Sequence, residues 1–357
     1  MSKVLMPAYT VAEWGGLHEN VLSSAQALRT AGHEVTLVLT AGLISEKAVA
    51  NGFQVINVDW DNWKETAAHI RSTVSYDLII AQPQKSRELA ISVNKSAGKP
   101  LYVMFHGYYS DHAIEWHPEV TGFLPVTSLL ADFLIQYCKV PSWKVSVVPN
   151  GVPSNRFELG MKSLASKLKN GCARVIIPSR IDKDKVYQQE ALKSLLKCIR
   201  ESGDTHAWEF QVLGDGPEKR NFQRLSRELI HDMTNVSINF TGWVDSEEVP
   251  RLMNEAFLTI GAGRGALQSI AVGTPVLAAG KFGVGGLQYG HNLRVGLWNN
   301  FGDYPFKDAQ VSDISTEFNS LFDPVFYNEI QETARDILLV ERNQSNIDLL
   351  LATSVSY

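Results

Sequence analysis

Residues 257–278 read FLTIGAGRGALQSIAVGTPVLA, and this stretch decides the fold class. An apolar run leads into a glycine loop at 261–265, which opens a segment of helical period. Gly273 and Pro275 close that segment before a second apolar run begins. Strand, glycine loop, helix and strand in this order predict a parallel sheet with helices on its faces.

The same alternation runs through most of the chain. Segments of helical period lie at 21–31, 190–201 and 221–230, and short β-branched runs that predict strands lie between such segments. Because strands alternate with helices, the chain is predicted to be an α/β protein. The runs interpreted as strands are 35–39, 78–81, 101–105, 145–148, 174–177, 210–213, 236–240 and 257–260.

The sequence PNGVP at 149–153 divides the strands into two series. Two prolines with a glycine and an asparagine are typical of a turn or linker. We therefore predict a Rossmann-like domain at 1–150, a second at 151–330, and C-terminal helices at 331–357 that pack back toward the first domain. Two such domains facing each other would place a ligand cleft where the carboxyl ends of both sheets meet.

The composition limits the classes of protein to consider. Of the 357 residues, 45% are hydrophobic and 20% are charged, which is typical of a globular protein and excludes a disordered chain. The net charge of -5 argues against nucleic acid as a partner. The N-terminus lacks the apolar core of a signal peptide, and no apolar run reaches the ~18 residues that span a bilayer. The sequence thus predicts a cytoplasmic protein and leaves a peripheral membrane contact open.

Two loops in the first half follow predicted strands. Gly15 and Gly16 precede a helical run, so N–H groups at the start of that helix can approach an anionic ligand. His106 follows the strand at 101–105, and a polar residue at the carboxyl end of a buried parallel strand is directed toward a binding region. Each loop is also compatible with a purely structural role.

Two loops in the second half carry charge or glycine. Arg180 follows the strand at 174–177, and Lys185 lies five residues further on. Two fixed cations at one sheet edge suit a diphosphate whose negative charge grows as a bond breaks. Gly214 begins another glycine-bearing turn that opens a helix. The cation pair predicts a reaction that requires neither a metal nor another cofactor.

Some of these motifs allow other interpretations. Gly261, Gly263 and Ala266 also fit the dinucleotide-binding pattern G-x-G-x-x-G/A, but residues 280–291 contain no acid to bind a ribose. D-x-D strings occur at 59–61 and 182–184 and could bind a metal–diphosphate. We interpret both strings as surface loops.

Taken in order, the fragments resemble the retaining, nucleotide-sugar-dependent glycosyltransferases of family 4, which have the GT-B fold. EWGG at 13–16 and AGHEV at 31–35 are similar to the opening of that family. The resemblance extends to about Gly286. Its later fragments are FHG at 105–107, PNGV at 149–152, SRI at 179–181 with Lys185, GDGP at 214–217 and FTG at 240–242.

The donor loop departs from the family pattern. The family carries E-x7-E before A-x-A-x-G-x-P-V, but Gln268 holds the place of the second glutamate and Ile260 that of the first. Gly263-Arg264 and GVGG at 283–286 resemble a variant with a G-R segment and a following G-x-G-G turn. In the family the second glutamate contacts the donor ribose, and the amide of Gln268 can still accept and donate hydrogen bonds.

The resemblance implies transfer of a sugar from a nucleoside diphosphate sugar to a hydroxyl acceptor, with retention of configuration. It implies catalytic roles for Arg180 and Lys185 at the departing diphosphate and for His106 at the sugar. The implied donor-binding residues are Gly15, Gly16, Gly214, Gly263, Arg264, Gly265, Ala266, Leu267 and Gln268. The expected acceptor-side residues are Glu13, Tyr108, Tyr109 and Asp111.

Two alternative functions stay open at this point. Loss of the family glutamate at Gln268 is compatible with a catalytically silent GT-B protein that binds a nucleotide or a partner. A sugar-nucleotide epimerase would have a similar two-domain shape, but it needs several acids and bases around the sugar ring.

Overall fold

The computed structural model describes residues 1–10, 12, 14–305 and 314–355. These residues form two compact units. The first comprises Met1–Gly151 with the chain from Ser345 onward, and the second comprises Val152–Gln344. Each unit has its own sheet and its own hydrophobic core, which confirms the predicted class of two Rossmann-like domains.

The sheet of the first unit is parallel throughout. Its strands are β1 (Lys3–Ala8), β2 (Glu34–Leu39), β3 (Gln54–Asn57), β4 (Leu78–Ala81), β5 (Leu101–Phe105) and β6 (Gly122–Pro125). Their order is β3-β2-β1-β4-β5-β6, the doubly wound arrangement. Every residue of β4 and β5 is buried, because helices cover both faces of a parallel sheet.

Helices connect the strands of the first unit. They are α1 (Gly16–Thr30), α2 (Leu43–Ala50), α3 (Trp63–Thr73), α4 (Lys85–Asn94), α5 (Ala113–Trp116) and α6 (Ser128–Gln136), with short 3₁₀ turns at His117–Glu119 and Ser142–Lys144. The start of α6 shows how local sequence fixes a helix boundary. The hydroxyl of Thr127 accepts a hydrogen bond of 3.2 Å from the N–H of Leu130.

The sheet of the second unit repeats this plan. Its strands are β7 (Cys172–Pro178), β8 (Ala207–Leu213), β9 (Val236–Gly242), β10 (Leu258–Gly261), β11 (Val276–Gly280) and β12 (Gly283–Leu287). The order is β12-β11-β10-β7-β8-β9, which equals the order of the first sheet when strands are counted from β7. The two sheets differ in the direction of one edge strand, since β12 runs antiparallel to β11.

The second unit contains helices of very different length. They are α7 (Ser154–Glu158), α8 (Leu164–Lys167), α9 (Val186–Ser202), α10 (Lys219–Leu229), α11 (Val249–Glu255), α12 (Gly263–Ala271), α13 (Gly290–Asn299), α14 (Ile314–Ser320) and α15 (Pro324–Glu341), with 3₁₀ turns at Lys169–Gly171 and Lys183–Lys185. Across the described ranges, no helix combines the length and the apolar character that a bilayer span requires.

The C-terminal helices join different cores. The side chain of Asp323 caps α15 by accepting from the N–H of Val325, and Pro324 occupies the first helical position. Tyr327 of α15 is fully buried in the core of the second unit. The last helix, α16 (Gln344–Ser354), instead places Ile347 and Leu351 in the core of the first unit.

Two sequence predictions are corrected by the structure. Residues 145–148 form no strand: Val145 makes an isolated bridge to Phe123, because the 3₁₀ turn before it and Pro149 after it limit the pairing. Residues 283–286 are not a turn but part of β12. Gly286 pairs with Ala278 across a β-bulge, and its φ of 72° is open to glycine.

A buried polar network holds the C-terminal end of α12. Lys167 is 3% exposed, and its Nζ donates to the carbonyl of Gly273 at 2.9 Å and to the hydroxyl of Thr274 at 2.5 Å. Arg335 donates to the carbonyl of Ala271 at 3.0 Å. These donors satisfy carbonyl groups that the end of a helix leaves unpaired. Burial lowers the pKa of Lys167 well below its usual value.

The lowered pKa of Lys167 predicts a pH-dependent stability. Between the lowered pKa and the ordinary value of about 10.4, the unfolded chain binds a proton that the folded chain has lost, so stability rises with pH by up to about 1.4 kcal/mol per unit. We expect urea titrations over the pH range just below about 10 to show this slope in the wild type and in the exposed control Lys169→Met. The Lys167→Met variant should lack it. Parallel slopes in all three proteins would contradict the assignment.

Candidate functional site

The topology of each sheet identifies one edge at which ligands bind. Doubly wound sheets bind ligands beyond the carboxyl ends of the strands, at the point where the strand order reverses. That point lies between β1 and β4 in the first unit and between β7 and β10 in the second. The loops that follow these four strands are therefore the candidate binding elements of their units.

Arg180 lies in the loop after β7 and is held by carboxylates of its own loop. Its guanidinium lies 3.1 Å from the nearer carboxylate oxygen of Asp184 and 3.7 Å from that of Asp182. The arginine side chain is 41% exposed, so a ligand can reach it. Asp182 and Asp184, predicted to form a surface loop, are half-buried and orient this cation.

Lys185 follows in the same loop and pairs with a distant residue. Its Nζ lies 2.8 Å from Oδ1 of Asp303, and the two side chains are only 17% and 22% exposed. Asp303 also accepts from the N–H of Lys281 at 3.2 Å. Asp303 lies 118 positions from Lys185 and belongs to no sequence motif, so only the structure shows that the two residues meet.

The loop after β8 fixes the loop that carries Arg180. The N–H of Ser179 donates to Leu213, the N–H of Ile181 donates to Asp215, and the N–H of Glu218 donates back to Ile181. The two backbones approach so closely that a Cβ on Gly214 would lie 2.1 Å from the Ser179 carbonyl oxygen. Gly214 therefore acts in the structure as a spacer that lets the two loops meet.

The start of α12 lies beside the end of β7. A Cβ on Gly265 would lie 3.2 Å from the Pro178 ring, and the N–H of Gly263 donates to the Asn300 carbonyl at 3.1 Å. The N-cap residue Ala262 provides no side-chain cap. A helix start of this kind favours an anion, because its N–H groups and its dipole both attract negative charge.

The predicted donor residues of α12 occupy two different faces. Arg264, Gly265 and Gln268 are half-buried and, at spacings of one, three and four, share one face of the helix. Ala266 and Leu267 are buried in the core. The N–H of Ala266 donates to the Ala262 carbonyl, so this residue adds no N–H donor to the edge.

In the first unit, Gly15 and Gly16 lie where the sequence places them, at the start of α1. Gly15 is the N-cap, and among the described residues no side chain caps the helix and no atom lies within 4 Å of a Cβ on Gly15. The Trp14 ring stacks on His18 with centroids 5.3 Å apart, and burial lowers the pKa of His18. Glu13 lies outside the described residues.

Three acceptor-side candidates, Tyr108, Tyr109 and Asp111, lie in the loop after β5 together with the catalytic candidate His106. His106 is half-buried, and the Tyr108 ring packs on Phe133 with centroids 4.3 Å apart. Desolvation, with a smaller contribution from Asp111, raises the pKa of Tyr109. The structure brings these residues into one loop of the first unit.

Asp111 has a structural partner within that loop. Arg87 approaches its two carboxylate oxygens at 3.2 and 3.3 Å, and the N–H of Gln84 donates to it at 2.9 Å. The Asp111 and Arg87 side chains are 8% and 13% exposed. A pair this buried is a poor candidate for binding a substrate hydroxyl, since its acceptors are already used.

No cluster of three or more His, Cys, Asp or Glu suited to a metal occurs among the described residues. Asp59 and Asp61 occupy an exposed loop, where Asp61 pairs with Lys85 at 2.8 Å. Asp59 accepts from the N–H of Asp61 and from the Asn62 amide. These contacts match the surface loop that we predicted for the string at 59–61.

A known protein family matches the sequence of the first unit. Residues 14–156 match the family model described as Glycosyltransferase Family 4. No curated protein matches the chain. The match covers almost all of the first unit up to the start of the second, and it supports a glycosyltransferase assignment.

Solved structures resemble the whole chain. HepE of Anabaena, in complex with UDP and glucose, matches with a TM-score of 0.73 at 16% identity and 99% coverage of both chains. A glycosyltransferase from Rickettsia africae matches with a TM-score of 0.72 at 14% identity, covering 99% of this chain and 96% of that one. Sucrose-phosphate synthase from Thermosynechococcus elongatus matches with a TM-score of 0.68 at 13% identity and 98% coverage of both chains. The fold is therefore that of GT-B glycosyltransferases.

The contact at Gly214 predicts a large effect of a single methyl group. Gly214→Ala should reduce the free energy of unfolding by about 2 to 4 kcal/mol, because the Cβ meets backbone and the φ of 146° is unfavourable for alanine. Gly203→Ala is the matched control, since Gly203 has a φ of 67° and open space around it. It should lose only about 1 kcal/mol. Equal losses in urea titrations would show that the close approach is unimportant.

Proposed function

We propose that the protein is a glycosyltransferase that transfers a sugar from a nucleoside diphosphate sugar to a hydroxyl acceptor. The observation that carries this proposal is the gathering of Arg180, Lys185 and the uncapped start of α12 at the point where the second sheet reverses its order. Two cations and a helix start at one edge favour a diphosphate. The family match of residues 14–156 supports the same activity.

In the proposed reaction the bond between the anomeric carbon and the diphosphate oxygen breaks, and a bond from the acceptor oxygen to that carbon forms. The acceptor hydroxyl gives its proton to the nucleoside diphosphate, which leaves with the bonding electrons. Arg180 and Lys185 stabilise the charge that grows on the leaving group, and this requires no metal. We further propose that the anomeric configuration is retained, as the resemblance to family 4 implies.

Within the second unit, the half-buried face of α12 suits the nucleoside part of the donor. Gln268 lies one helical turn beyond Arg264 on that face. An amide can bind a ribose hydroxyl as donor or as acceptor. The loop after β5 in the first unit, with His106, Tyr108 and Tyr109, supplies ring faces and polar groups that suit a carbohydrate acceptor.

The silent GT-B protein is the second candidate, and Gln268 is the observation that favours it. An uncharged amide at this position makes a weaker bond to a ribose hydroxyl than a carboxylate does. The epimerase is less well supported. Its chemistry needs several acids and bases around the sugar ring, and the sequence identifies no such set.

The proposed function is tested by two measurements in EDTA. Thermal shifts with uridine, guanosine, adenosine and thymidine diphosphates should identify one base, since a ligand at 100 times its Kd stabilises by roughly 2.7 kcal/mol. Release of the nucleoside diphosphate from UDP-, GDP-, ADP- and dTDP-glucose, with water as acceptor, should then show turnover. Binding without turnover on any donor or acceptor would favour the silent protein.

The cation pair predicts the effect of two substitutions on catalysis. Arg180→Ala and Lys185→Ala should each lower kcat at least about a hundredfold with saturating donor, because each removes charge from the transition state. Lys183→Ala is the matched control, since Lys183 is exposed in the same loop. Near-wild-type kcat in both folded variants would remove these residues from the leaving-group site.

The amide of Gln268 predicts a graded effect on nucleotide binding. Gln268→Ala should weaken binding by about 1 kcal/mol, the scale of a neutral hydrogen bond. Gln268→Glu should preserve or tighten binding, because a charged acceptor makes a stronger bond. Calorimetry with the best diphosphate from the screen, with Gln136→Ala as an exposed control, measures both. Unchanged affinity in all variants would show that α12 does not bind the ribose.

A further inference from the structure

We propose that Asp303 is a positioning residue that fixes the ammonium of Lys185 for the leaving diphosphate. This inference rests on the proposed function. Asp303 lies after α13, outside every motif that the sequence analysis identified, and the structure brings it to the donor edge of the second unit. Three features of the turn that carries Asp303 support this role.

The first feature is the geometry of the ion pair. Nζ of Lys185 lies 2.8 Å from Oδ1 of Asp303, and the N–H of Lys281 donates to the same oxygen at 3.2 Å. Both side chains are mostly shielded from water, so the pair is held more tightly than an exposed one. A lysine ammonium has three N–H donors. With one directed at Asp303, the directions of the other two are fixed.

The second feature is the strained backbone that presents the carboxylate. Asn300 and Phe301 both have a φ of 59°, and Gly302 has a φ of 90°. Consecutive left-handed residues are unfavourable unless surrounding contacts impose them. Here the N–H of Gly302 donates to the Asn299 side chain, and the N–H of Phe282 donates to the Gly302 carbonyl. The turn is therefore fixed in the conformation that directs Asp303 toward Lys185.

The third feature is the contact of this turn with α12 and β11. The N–H of Gly263, the first residue of α12, donates to Asn300, and a Cβ on Gly263 would lie 3.3 Å from Oδ2 of Asp303. A Cβ on Gly280 would lie 2.2 Å from the backbone of Gly302. The turn, the helix start and Lys185 thus form one rigid assembly at the donor edge.

The carboxylate of Asp303 lies where the negatively charged diphosphate is proposed to bind. This argues that Asp303 positions Lys185 and does not itself bind the ligand. A carboxylate beside Lys185 weakens the field of that lysine on a phosphate, so Asp303 would oppose ground-state binding. A flexible lysine loses side-chain entropy when a ligand fixes it, whereas one already fixed by Asp303 does not. Preorganisation of this kind acts on the transition state, where charge on the leaving oxygen is largest.

A double-mutant cycle on Lys185 and Asp303 tests the inference. The readout is release of the nucleoside diphosphate, with water as acceptor. The donor is whichever of UDP-, GDP-, ADP- and dTDP-glucose the wild type turns over fastest. Asp303→Asn, which keeps the shape of the side chain, should lower kcat about tenfold with donor KM changed less than twofold. Asp303→Glu should recover part of kcat. The double variant Lys185→Ala/Asp303→Asn should be no slower than Lys185→Ala alone, because Asp303 acts only through Lys185.

Glu209→Gln is the matched control. Glu209 of β8 pairs with Arg174 of β7 at 3.2 Å, and this pair is about as exposed as the pair of Lys185 and Asp303. It lies away from the carboxyl ends of both strands. The control variant should keep wild-type kcat, and circular dichroism should show that all variants fold. Multiplicative losses in the double variant, or tighter donor binding with unchanged kcat in Asp303→Asn, would overturn the inference. A wild type that turns over no donor would instead overturn the proposed function, so the two failures are distinguishable.

Discussion

The second unit depends on one close contact between two loop backbones. Where a side chain would begin at Gly214, the carbonyl of Ser179 is already present, and the Ile181 carbonyl takes the same place beside Gly216. Hydrogen bonds between the loops keep them at this separation. Because glycine is the residue that permits it, the loop after β7 is fixed along its backbone before any side chain contributes. Arg180 therefore projects from a rigid support and not from a free loop.

The same unit surrounds α12 with polar partners that differ at its two ends. At the C-terminal end, Lys167 and Arg335 donate to carbonyls that have no partner within the helix. At the N-terminal end, the carboxylate of Asp303 lies beside Gly263 and binds Lys185. Donors at one end and an acceptor at the other agree with the direction of the helix dipole. The helix is thus held in place at both ends.

Much of the fold could be predicted from the sequence because parallel strands buried on both faces form continuous apolar runs. LYVMF and LIIA are such runs, and both are strands. The signal holds at the edge strand β9 but fails at the other three edge strands, β3, β6 and β12. β6 reads GFLP and β12 reads GVGGL, and short strands that contain glycine or proline are indistinguishable from turns by period. The run at 145–148 was wrongly predicted as a strand. Apolar residues that lie beside an edge strand need not form a continuous series of backbone hydrogen bonds with it.

Site residues that follow directly after a strand could be predicted from the sequence. A site residue that comes from a distant turn could not. Arg180, Lys185 and Gly263 lie within a few residues of a strand end, so topology alone gathers them. Asp303 reaches the same edge through a turn whose conformation follows from tertiary contacts of Gly280 and Gly263, which no local pattern encodes.

The two units share one strand order, yet their loops differ in what they allow. At the start of α1 no atom of the described residues lies within 4 Å of a Cβ on Gly15. At the start of α12 the ring of Pro178, the turn at Asn300 and Asp303 surround Gly263 and Gly265. An open helix start can accept ligands of varied shape, but an enclosed one admits only a group that fits its neighbours. The shared strand order therefore leaves the chemistry of each unit to its loops, and the donor site that we propose depends on the enclosed edge of the second unit.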